Sequence, residues 1–292
     1  MPSPEHEALV SMVQATPAGT PSLEESRAGF EAMLSMTPLP ADLNVEELMI
    51  EHMRADWVSV PESKANRTVL YLHGGGYMIG SNVGYREFAS RMARALQARV
   101  LVINYRLAPE NPFPAAVDDA VMAYNWLIDQ GVDTNQLVVA GDSAGGGLTL
   151  ATLVALRDAG VPLPACATCF SPWVDLEATG NSAKPGVVDD PIINLDGLRG
   201  MTEAYAPNDK RNPLAAPLYA DLTGLPPLLV FVGTREVLLD DATRIVDNAR
   251  AAGVNTTLHI GEGLVHVWQV FALPESQQSL EQMSEFVTQH LH

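Results

Sequence analysis

Residues Gly141–Leu148 read G-D-S-A-G-G-G-L and place a serine between glycines in the pattern G-x-S-x-G. The apolar run Leu137–Ala140 precedes them, and Thr149–Leu156, which contains neither glycine nor proline, follows them. Strand, tight turn and helix in this order are typical of a turn that exposes a nucleophilic serine. A glycine-rich turn around a serine can also be a simple strand–helix connector. The rest of the chain distinguishes these two interpretations.

Apolar runs on both sides of this turn predict an α/β fold with a mostly parallel sheet. The runs alternate with amphipathic segments, which is typical of parallel strands covered by helices on both faces. Residues Glu46–Val60 predict one or two outer strands. The predicted buried strands are Thr68–Leu72, Val100–Asn104, Leu137–Ala140, Ala165–Phe170, Leu228–Val232 and Thr256–Ile260. The predicted helices are Tyr85–Gln97, Ala115–Gln130, Asp240–Ala252 and Glu275–His290.

The composition of the 292-residue chain limits the classes of partner. Its 17 Lys and Arg residues against 35 Asp and Glu residues give a formal net charge of −18. Such an acidic chain argues against binding to nucleic acid or to anionic membranes. No stretch is long and apolar enough to span a bilayer, and residues 1–20 lack the pattern of a signal peptide. We therefore expect a cytoplasmic protein.

The two cysteines, Cys166 and Cys169, form a C-x-x-C pattern that is compatible with a redox or metal site. Further ligands with suitable spacing are missing, however. The pair also lies in a predicted strand, where positions three apart face opposite sides of the sheet. We expect two buried free thiols and no metal.

Two segments do not belong to the alternating pattern. Met1–Pro40 is helical in character, and Ser22 with Glu25 predicts a capping box at the start of a helix. Ser171–Pro227 is rich in Pro, Asp, Asn and Gly and contains one good helix candidate, Leu198–Tyr205. A long stretch between core strands is usually a functional insertion.

A serine hydroxyl needs a base to activate it, and the base needs a third group to orient it. Of the seven histidines, His266 lies in a glycine-bearing loop directly after the last predicted strand. This loop is expected at the same sheet edge as Ser143, which makes His266 the candidate base. His73 lies in the sequence H-G-G-G, where its ring is expected to brace the loop.

The third group is expected after the strand that precedes the base. Glu236, Asp240 and Asp241 all follow Leu228–Val232 and are the candidates. Glu236 lies nearest to the strand end. Asp240 and Asp241 fall at the expected N-cap or first turn of the next helix, where carboxylates are favoured in any protein. Position therefore favours Glu236.

The glycines of His73–Gly76 suit the stabilisation of a developing oxyanion, which requires close approach of backbone N–H donors. Gly75, Gly76 and Ala144 are the predicted donors. A glycine run can also bind phosphate, but no P-loop lysine follows and no Rossmann pattern is present.

Four motifs together resemble the hormone-sensitive-lipase-like esterases, family IV of the bacterial lipolytic enzymes. They occur in the order H-G-G-G, Y-R-L-A-P-E, F-P-A-A and G-D-S-A-G-G, at His73–Gly76, Tyr105–Glu110, Phe113–Ala116 and Gly141–Gly146. The resemblance implies an α/β-hydrolase fold and the hydrolysis of short-chain carboxylic esters, small molecules, without cofactor or metal. It also implies a homodimer.

The resemblance further implies a helical cap over the site. The cap would combine N-terminal residues 1–45 with an insertion at about residues 184–212, and residues 46–292 would form the catalytic domain. The family acid aligns with Glu236, although many members have aspartate there. His73, Gly74 and Asp142 would support the motifs. Candidate pocket residues, each of which fits the core equally well, are Tyr77, Met78, Ile79 and Trp173.

Two other functions use the same pattern of residues. An amidase or deacetylase would use the same triad on a different bond. A non-catalytic ligand-binding protein could retain the fold, but such relatives have lost the histidine that His266 supplies. The sequence therefore favours ester hydrolysis through Ser143, His266 and Glu236.

Overall fold

The structure is a computed structural model and describes residues 2–15, 19 and 21–291. Met1, residues 16–18, Thr20 and His292 lie outside the described residues, so the predicted segments 1–45 and 46–292 are covered only in part. The described strands are β1 Asn44–Ile50, β2 Met53–Ser59, β3 Lys64–Leu72, β4 Ala98–Ile103, β5 Leu137–Asp142, β6 Cys166–Phe170, β7 Leu228–Gly233 and β8 Thr256–Gly261.

These strands form one sheet in the order β1-β2-β4-β3-β5-β6-β7-β8. β2 pairs antiparallel with both β1 and β4, and every other pair is parallel. The mostly parallel α/β sheet predicted from the sequence is confirmed. The carboxyl ends of β3, β5, β6, β7 and β8 meet at one edge, and the candidate residues lie on the loops that leave this edge.

Helices cover both faces of the sheet. The described α-helices are α1 Pro4–Ala15, α2 Leu23–Leu34, α3 Arg86–Leu96, α4 Ala115–Asp129, α5 Ala144–Asp158, α6 Leu195–Tyr205, α7 Leu239–Ala251 and α8 Pro274–His290. On one face α3 and α8 pack against side chains such as Val69 and Tyr71. Leu70 and Leu72 point to the other face, where α4 and α5 cover them. Because both faces are buried, the strands read as continuous apolar runs.

The two cysteines follow the same alternation along β6. Cys166 packs in the core on the α3 and α8 side, whereas Cys169 packs on the α5 and α7 side. Both are buried free thiols, as predicted. Among the described residues, no cluster of three or more His, Cys, Asp or Glu side chains is placed to hold a metal ion.

The N-terminal helices reach the site edge through specific contacts. The capping box between Ser22 and Glu25 is present at the start of α2. Arg27 then fixes α2 to the loop after β3, because its Nε donates to the Met78 carbonyl at 2.9 Å. The guanidinium of Arg27 also makes two hydrogen bonds to the carboxylate of Glu110, at 2.7 and 2.8 Å. In the part of the chain that is described, no helix is both long and apolar enough to cross a bilayer.

Candidate active site

Ser143 lies in the turn between β5 and α5 and has a strained backbone, with φ 52° and ψ −119°. The turn packs so closely on the neighbouring strand that a Cβ atom at position 145 would lie 1.9 Å from the Leu72 carbonyl oxygen. Only glycine fits at Gly145, and a Cβ at Gly141 would meet the Gly145 carbonyl oxygen at 2.3 Å. The G-x-S-x-G spacing is therefore dictated by the close packing of this turn.

A hydrogen-bonded chain runs from Ser143 through His266 to Glu236. The Nε2 atom of His266 lies 2.9 Å from the Ser143 Oγ, and its Nδ1 atom lies 2.8 Å from the Glu236 Oε2. A carboxylate at Nδ1 fixes the proton on that nitrogen, so Nε2 faces the hydroxyl as an acceptor. This arrangement is that of a nucleophile, a general base and an orienting acid.

Buried hydrogen bonds to the other carboxylate oxygen, Oε1, hold Glu236 in place. Its Oε1 accepts hydrogen bonds from the Gly233 amide at 2.5 Å and from the Ser171 hydroxyl at 2.8 Å. The Ser171 hydroxyl in turn accepts the Val267 amide at 3.2 Å, which links the acid to the loop that carries His266. Because Glu236 is fully buried, these donors compensate for its lost hydration.

The surroundings of His266 favour its protonated form. Burial alone lowers the pKa of an imidazole, but the hydrogen bond and charge of Glu236 outweigh it, with smaller contributions from Asp190 and Asp142. The pKa of His266 is therefore raised above the ordinary value of 6.5. Glu236 thus makes His266 a stronger proton acceptor than a free imidazole.

The other two candidate carboxylates have structural partners. Asp240 and Asp241 lie in the first turn of α7, as predicted, but neither caps that helix, whose N-cap is Leu238. Asp240 accepts the amide of Ser182. Asp241 is buried and accepts the amide of Asp175 at 2.8 Å. Of the two predicted positions, N-cap or first turn, the structure therefore shows the first turn, and both side chains bond to the segment after β6.

The carboxylate of Asp142, the neighbour of Ser143, makes its hydrogen bonds to groups other than His266. Its carboxylate accepts the hydroxyls of Tyr71 and Tyr85 at 2.6 and 2.8 Å and the Gly74 amide at 2.8 Å. These contacts attach the loop after β3 to the serine turn. Asp142 therefore supports the site, as the motif predicts, and does not bond to the base.

The loop after β3 turns its backbone towards Ser143. Gly75 and Gly76 both have positive φ values, 112° and 60°, which favour glycine. Among the described residues, neither amide donates to a protein acceptor, so both are available to a substrate oxygen. Ala144 is the first residue of α5, and the amides of a helical first turn have no intrahelical acceptor. The arrangement suits an oxyanion.

His73 braces this loop from behind. Its Nδ1 lies 2.7 Å from the Gly74 carbonyl oxygen, and its ring stacks on Tyr105 with centroids 4.3 Å apart. Burial lowers the pKa of His73 to about 4, so the ring is neutral and Nδ1 donates. The bracing role expected for His73 agrees with these contacts.

Ser143 and His266 open onto an apolar cavity of about 310 Å³. Besides the loop after β3 and Trp173, three parts of the chain supply its walls: the N-terminal helices, the insertion before and within α6, and the loop after His266. The side chains that they contribute are Val13, Phe30, Met33 and Leu34, then Ile192, Ile193, Leu198 and Met201, and finally Val267, Val270 and Phe271. The cavity therefore suits a neutral, apolar group next to the reacting carbonyl.

The chain is similar to known hydrolases and esterases. Residues 69–270 match the family model of the alpha/beta hydrolase fold. The chain is 46% identical over 241 residues to an acetyl-hydrolase of Streptomyces hygroscopicus, covering 82% of this chain and 80% of that protein. It superposes with a TM-score of 0.95 on an esterase from the bacterial hormone-sensitive lipase family, at 45% identity over the full length of both chains.

This chain belongs to the hormone-sensitive-lipase-like esterases. A crystal structure of EstE5, soaked with p-nitrophenyl butyrate, is also similar, with a TM-score of 0.94, 42% identity and 99% coverage of both chains. The chain is thus an ester hydrolase of the α/β-hydrolase fold rather than a non-catalytic binding protein.

Two of the four predicted pocket residues line the cavity of this esterase. They are Ile79 and Trp173. Tyr77 is not a lining residue, because its ring stacks on Tyr205 inside the core with centroids 3.7 Å apart. Met78 packs against the same core and is not a lining residue either. For these two positions, the core interpretation is the correct one.

Several residues around the site of this esterase are not among the candidates that the sequence suggests. Ser171 directly follows β6, so its position at the carboxyl edge of a parallel strand was a usable signal. Tyr71 lies within β3 and Tyr85 just before α3, where aromatic residues are ordinary core components. Nothing in the local pattern of these tyrosines indicates that they would meet at Asp142.

Proposed function

We propose that Ser143, His266 and Glu236 form the catalytic triad of this esterase and act on short-chain carboxylic esters. This proposal rests on the hydrogen-bonded chain from Ser143 through His266 to Glu236. Ser143 and His266 line the apolar cavity, and Glu236 is buried behind them. Gly75, Gly76 and Ala144 would supply the oxyanion hole. No metal or cofactor takes part in the proposed reaction.

The proposed reaction has two acyl-transfer steps. His266 accepts the proton of Ser143 as its oxygen attacks the ester carbonyl, and the resulting oxyanion receives hydrogen bonds from the three backbone amides. His266 then returns the proton to the leaving alcohol, and an acyl-enzyme remains. Water attacks this ester, again with His266 as the base, and releases the acid. Glu236 stabilises the imidazolium in both steps.

The size and lining of the cavity support a preference for short acyl chains. A volume of about 310 Å³ lies at the lower end of the range for small-molecule pockets. The similar Streptomyces protein is named an acetyl-hydrolase, which agrees with a small acyl group. We propose that residues 1–45 and about 184–212 act as the cap that limits substrate length.

Two further features of the proposal concern the whole protein. Strand β8 is an edge strand whose residues are mostly half-buried, and Ile260 on it is 51% exposed. This unpaired edge supports a homodimer. The cytoplasmic location expected from the sequence stays a prediction.

Replacement of the nucleophile tests the proposal. In Ser143→Ala, kcat for p-nitrophenyl butyrate should fall by about 10⁴-fold or more, with an unchanged circular dichroism spectrum. Ser284→Ala is the matched control, because that hydroxyl donates to the Ala95 carbonyl on the α3 side of the sheet. An active Ser143→Ala protein would refute the proposed mechanism. A matched amide substrate in the same assay separates ester hydrolysis from the amidase alternative.

A further inference from the structure

The insertion after β6 contacts the acid loop on both sides of Glu236. The amide of Val237 donates to the Asp190 Oδ2 at 2.9 Å, and the carbonyl of Val237 accepts the Ser182 hydroxyl at 2.7 Å. On the other side of Glu236, Arg235 pairs with Asp189 at 3.1 Å. Side chains of the insertion therefore satisfy both backbone groups of the residue that follows the acid.

The second oxygen of Asp190 holds the wall of the cavity. Its Oδ1 accepts the amides of Ile192 and Ile193, each at 2.9 Å. Both isoleucines line the cavity in front of Ser143. Asp190 is half-buried, and all three of these partners are backbone amides. One carboxylate thus joins the wall of the substrate cavity to the loop that carries Glu236.

We propose that Asp190 is a positioning residue that fixes Ile192 and Ile193 relative to the acid loop, and so couples substrate fit to the placement of Glu236. This inference rests on the proposed role of Glu236 in the triad. A shift of the isoleucine wall would be transmitted through Asp190 to the Val237 amide, directly beside the acid. Substrates that displace the wall would therefore be hydrolysed less efficiently than their binding alone predicts.

The chemistry of a carboxylate explains why aspartate suits this position. Two acceptor oxygens are needed, because the amides of the wall and the amide of Val237 approach different oxygens. Asparagine offers one acceptor, and its amide group would face an N–H donor with another donor. In Asp190→Asn one of the two connections must therefore break.

The charge of Asp190 provides a second, independent readout. The charged groups that act on His266 are Glu236, which is in direct contact, and the more distant Asp190 and Asp142. All three carboxylates raise the pKa of His266. Removal of the charge at position 190 should lower this pKa, so that His266 remains an unprotonated base at lower pH.

The test compares Asp190→Asn with Asp189→Asn, an adjacent change of the same kind. The side chain of Asp189 is 82% exposed, and it forms an ion pair with Arg235. The assay measures kcat and KM for two sets of esters, one varied in the acyl chain and one in the alcohol, and the pH profile of kcat/KM. Thermal unfolding checks that each variant is folded.

For Asp190→Asn we expect a loss in kcat/KM of about tenfold, the size expected for a broken hydrogen bond to a charged group. The preference between ester lengths should change, and the acid limb of the pH profile should move to lower pH. Asp189→Asn should remain within about twofold of the parent, as for other exposed ion pairs. An Asp190→Asn protein with the parent's selectivity and acid limb would overturn the inference.

Asp190→Glu keeps the test informative if Asp190→Asn does not fold. This variant retains the charge, so its acid limb should match that of the parent, while its longer side chain displaces the wall and changes the selectivity. Unchanged selectivity would overturn the inference. Ser143→Ala and Glu236→Gln in the same series separate the two proposals, because activity in either would refute the triad. Their inactivity beside a parent-like Asp190→Asn would refute only the coupling.

Discussion

Glu236 makes three hydrogen bonds through its two carboxylate oxygens. Its Oε2 lies 2.8 Å from His266, while its Oε1 accepts Ser171 and the Gly233 amide at the end of β7. Glutamate has one methylene more than aspartate, yet the loop after β7 returns its carboxylate to the backbone of the strand that it follows. The longer side chain is therefore folded back and held at both oxygens.

Three isosteric variants should separate the candidate acids. Glu236→Gln should lose about 10⁴-fold in kcat, because glutamine no longer fixes the tautomer of His266. Asp240→Asn and Asp241→Asn should keep kcat close to that of the parent. Their side chains accept backbone amides, so we expect a loss of about 1 kcal/mol in the free energy of unfolding.

The measurements are steady-state kinetics and urea unfolding of the parent protein and of the three variants. Thermal denaturation establishes that each variant is folded before its activity is compared. If Asp240→Asn or Asp241→Asn were inactive while Glu236→Gln retained turnover, the assignment of the acid would be wrong.

The raised pKa of His266 predicts the pH dependence of the reaction. The base must be neutral to accept a proton, so kcat/KM falls as the pH drops through its pKa. Because the carboxylates raise that pKa above 6.5, the acid limb should lie above the pH expected for a free imidazole. A profile of kcat/KM between pH 4.5 and 8.5 checks this, and a limb well below pH 6 would contradict it.

At the scale of single residues, positions that belong to a short sequence motif could be predicted. Ser143 and His266 were predictable because a tight turn and a loop after a strand leave little freedom in position. Tyr85 and Asp190 were not predictable in the same way. Their roles depend on contacts between segments that are far apart in the chain, and a single sequence carries no signal for such contacts.

Among the secondary-structure elements, the strands were predictable in their buried parts. The apolar run of β3 predicts a start at Thr68, whereas the strand begins at Lys64. Three of its first four residues, Lys64, Asn66 and Arg67, are polar, and Lys64–Asn66 are exposed, so this part lacks the apolar signal of a buried strand. Similarly, α6 begins at Leu195 rather than at Leu198, because the Asn194 side chain caps it by accepting two backbone amides.

Helix α2 provides a test of how far an element outside the sheet controls the site. Arg27 attaches it to the loop after β3, and Phe30 and Met33 on the same helix line the cavity. In Arg27→Met the apolar stem remains but the hydrogen bonds are lost. We expect KM for short esters to rise severalfold, with a smaller change in kcat, because the triad lies on other elements.

The matched control for this change is Arg94→Met. Arg94 lies on α3 and forms exposed ion pairs with Asp42 and Glu62, which contribute little to stability. Its KM should equal that of the parent. An Arg27→Met protein with unchanged KM would show that α2 keeps its position without the arginine.

For the whole molecule, the topology brings together residues from distant parts of the chain. Ser143 follows β5, Glu236 follows β7 and His266 follows β8, and the glycines follow β3. Parallel strands place their carboxyl ends at one edge, so the order of strands suffices to assemble the site. The fold class and this edge were therefore predictable, whereas the shape of the cavity was not.

The small volume of the cavity predicts substrate selectivity at the level of the complete protein. Across p-nitrophenyl esters from acetyl to palmitoyl, kcat/KM should be highest for short acyl chains and fall steeply for long ones. The walls from α1, α2 and α6 leave about 310 Å³, and a long acyl chain would displace them. A maximum at palmitoyl would refute the limit on chain length.

Because of the positions of its two cysteines, the folded protein should react very little with thiol-specific reagents. Cys166 and Cys169 lie on opposite faces of β6, both are buried, and burial raises the pKa of each thiol to about 12. Alkylating reagents and maleimide dyes act on accessible thiolates and should leave the native enzyme unlabelled. A single cysteine introduced by Arg199→Cys, at an exposed position on α6, could then carry a fluorophore that reports movements of this helix during turnover.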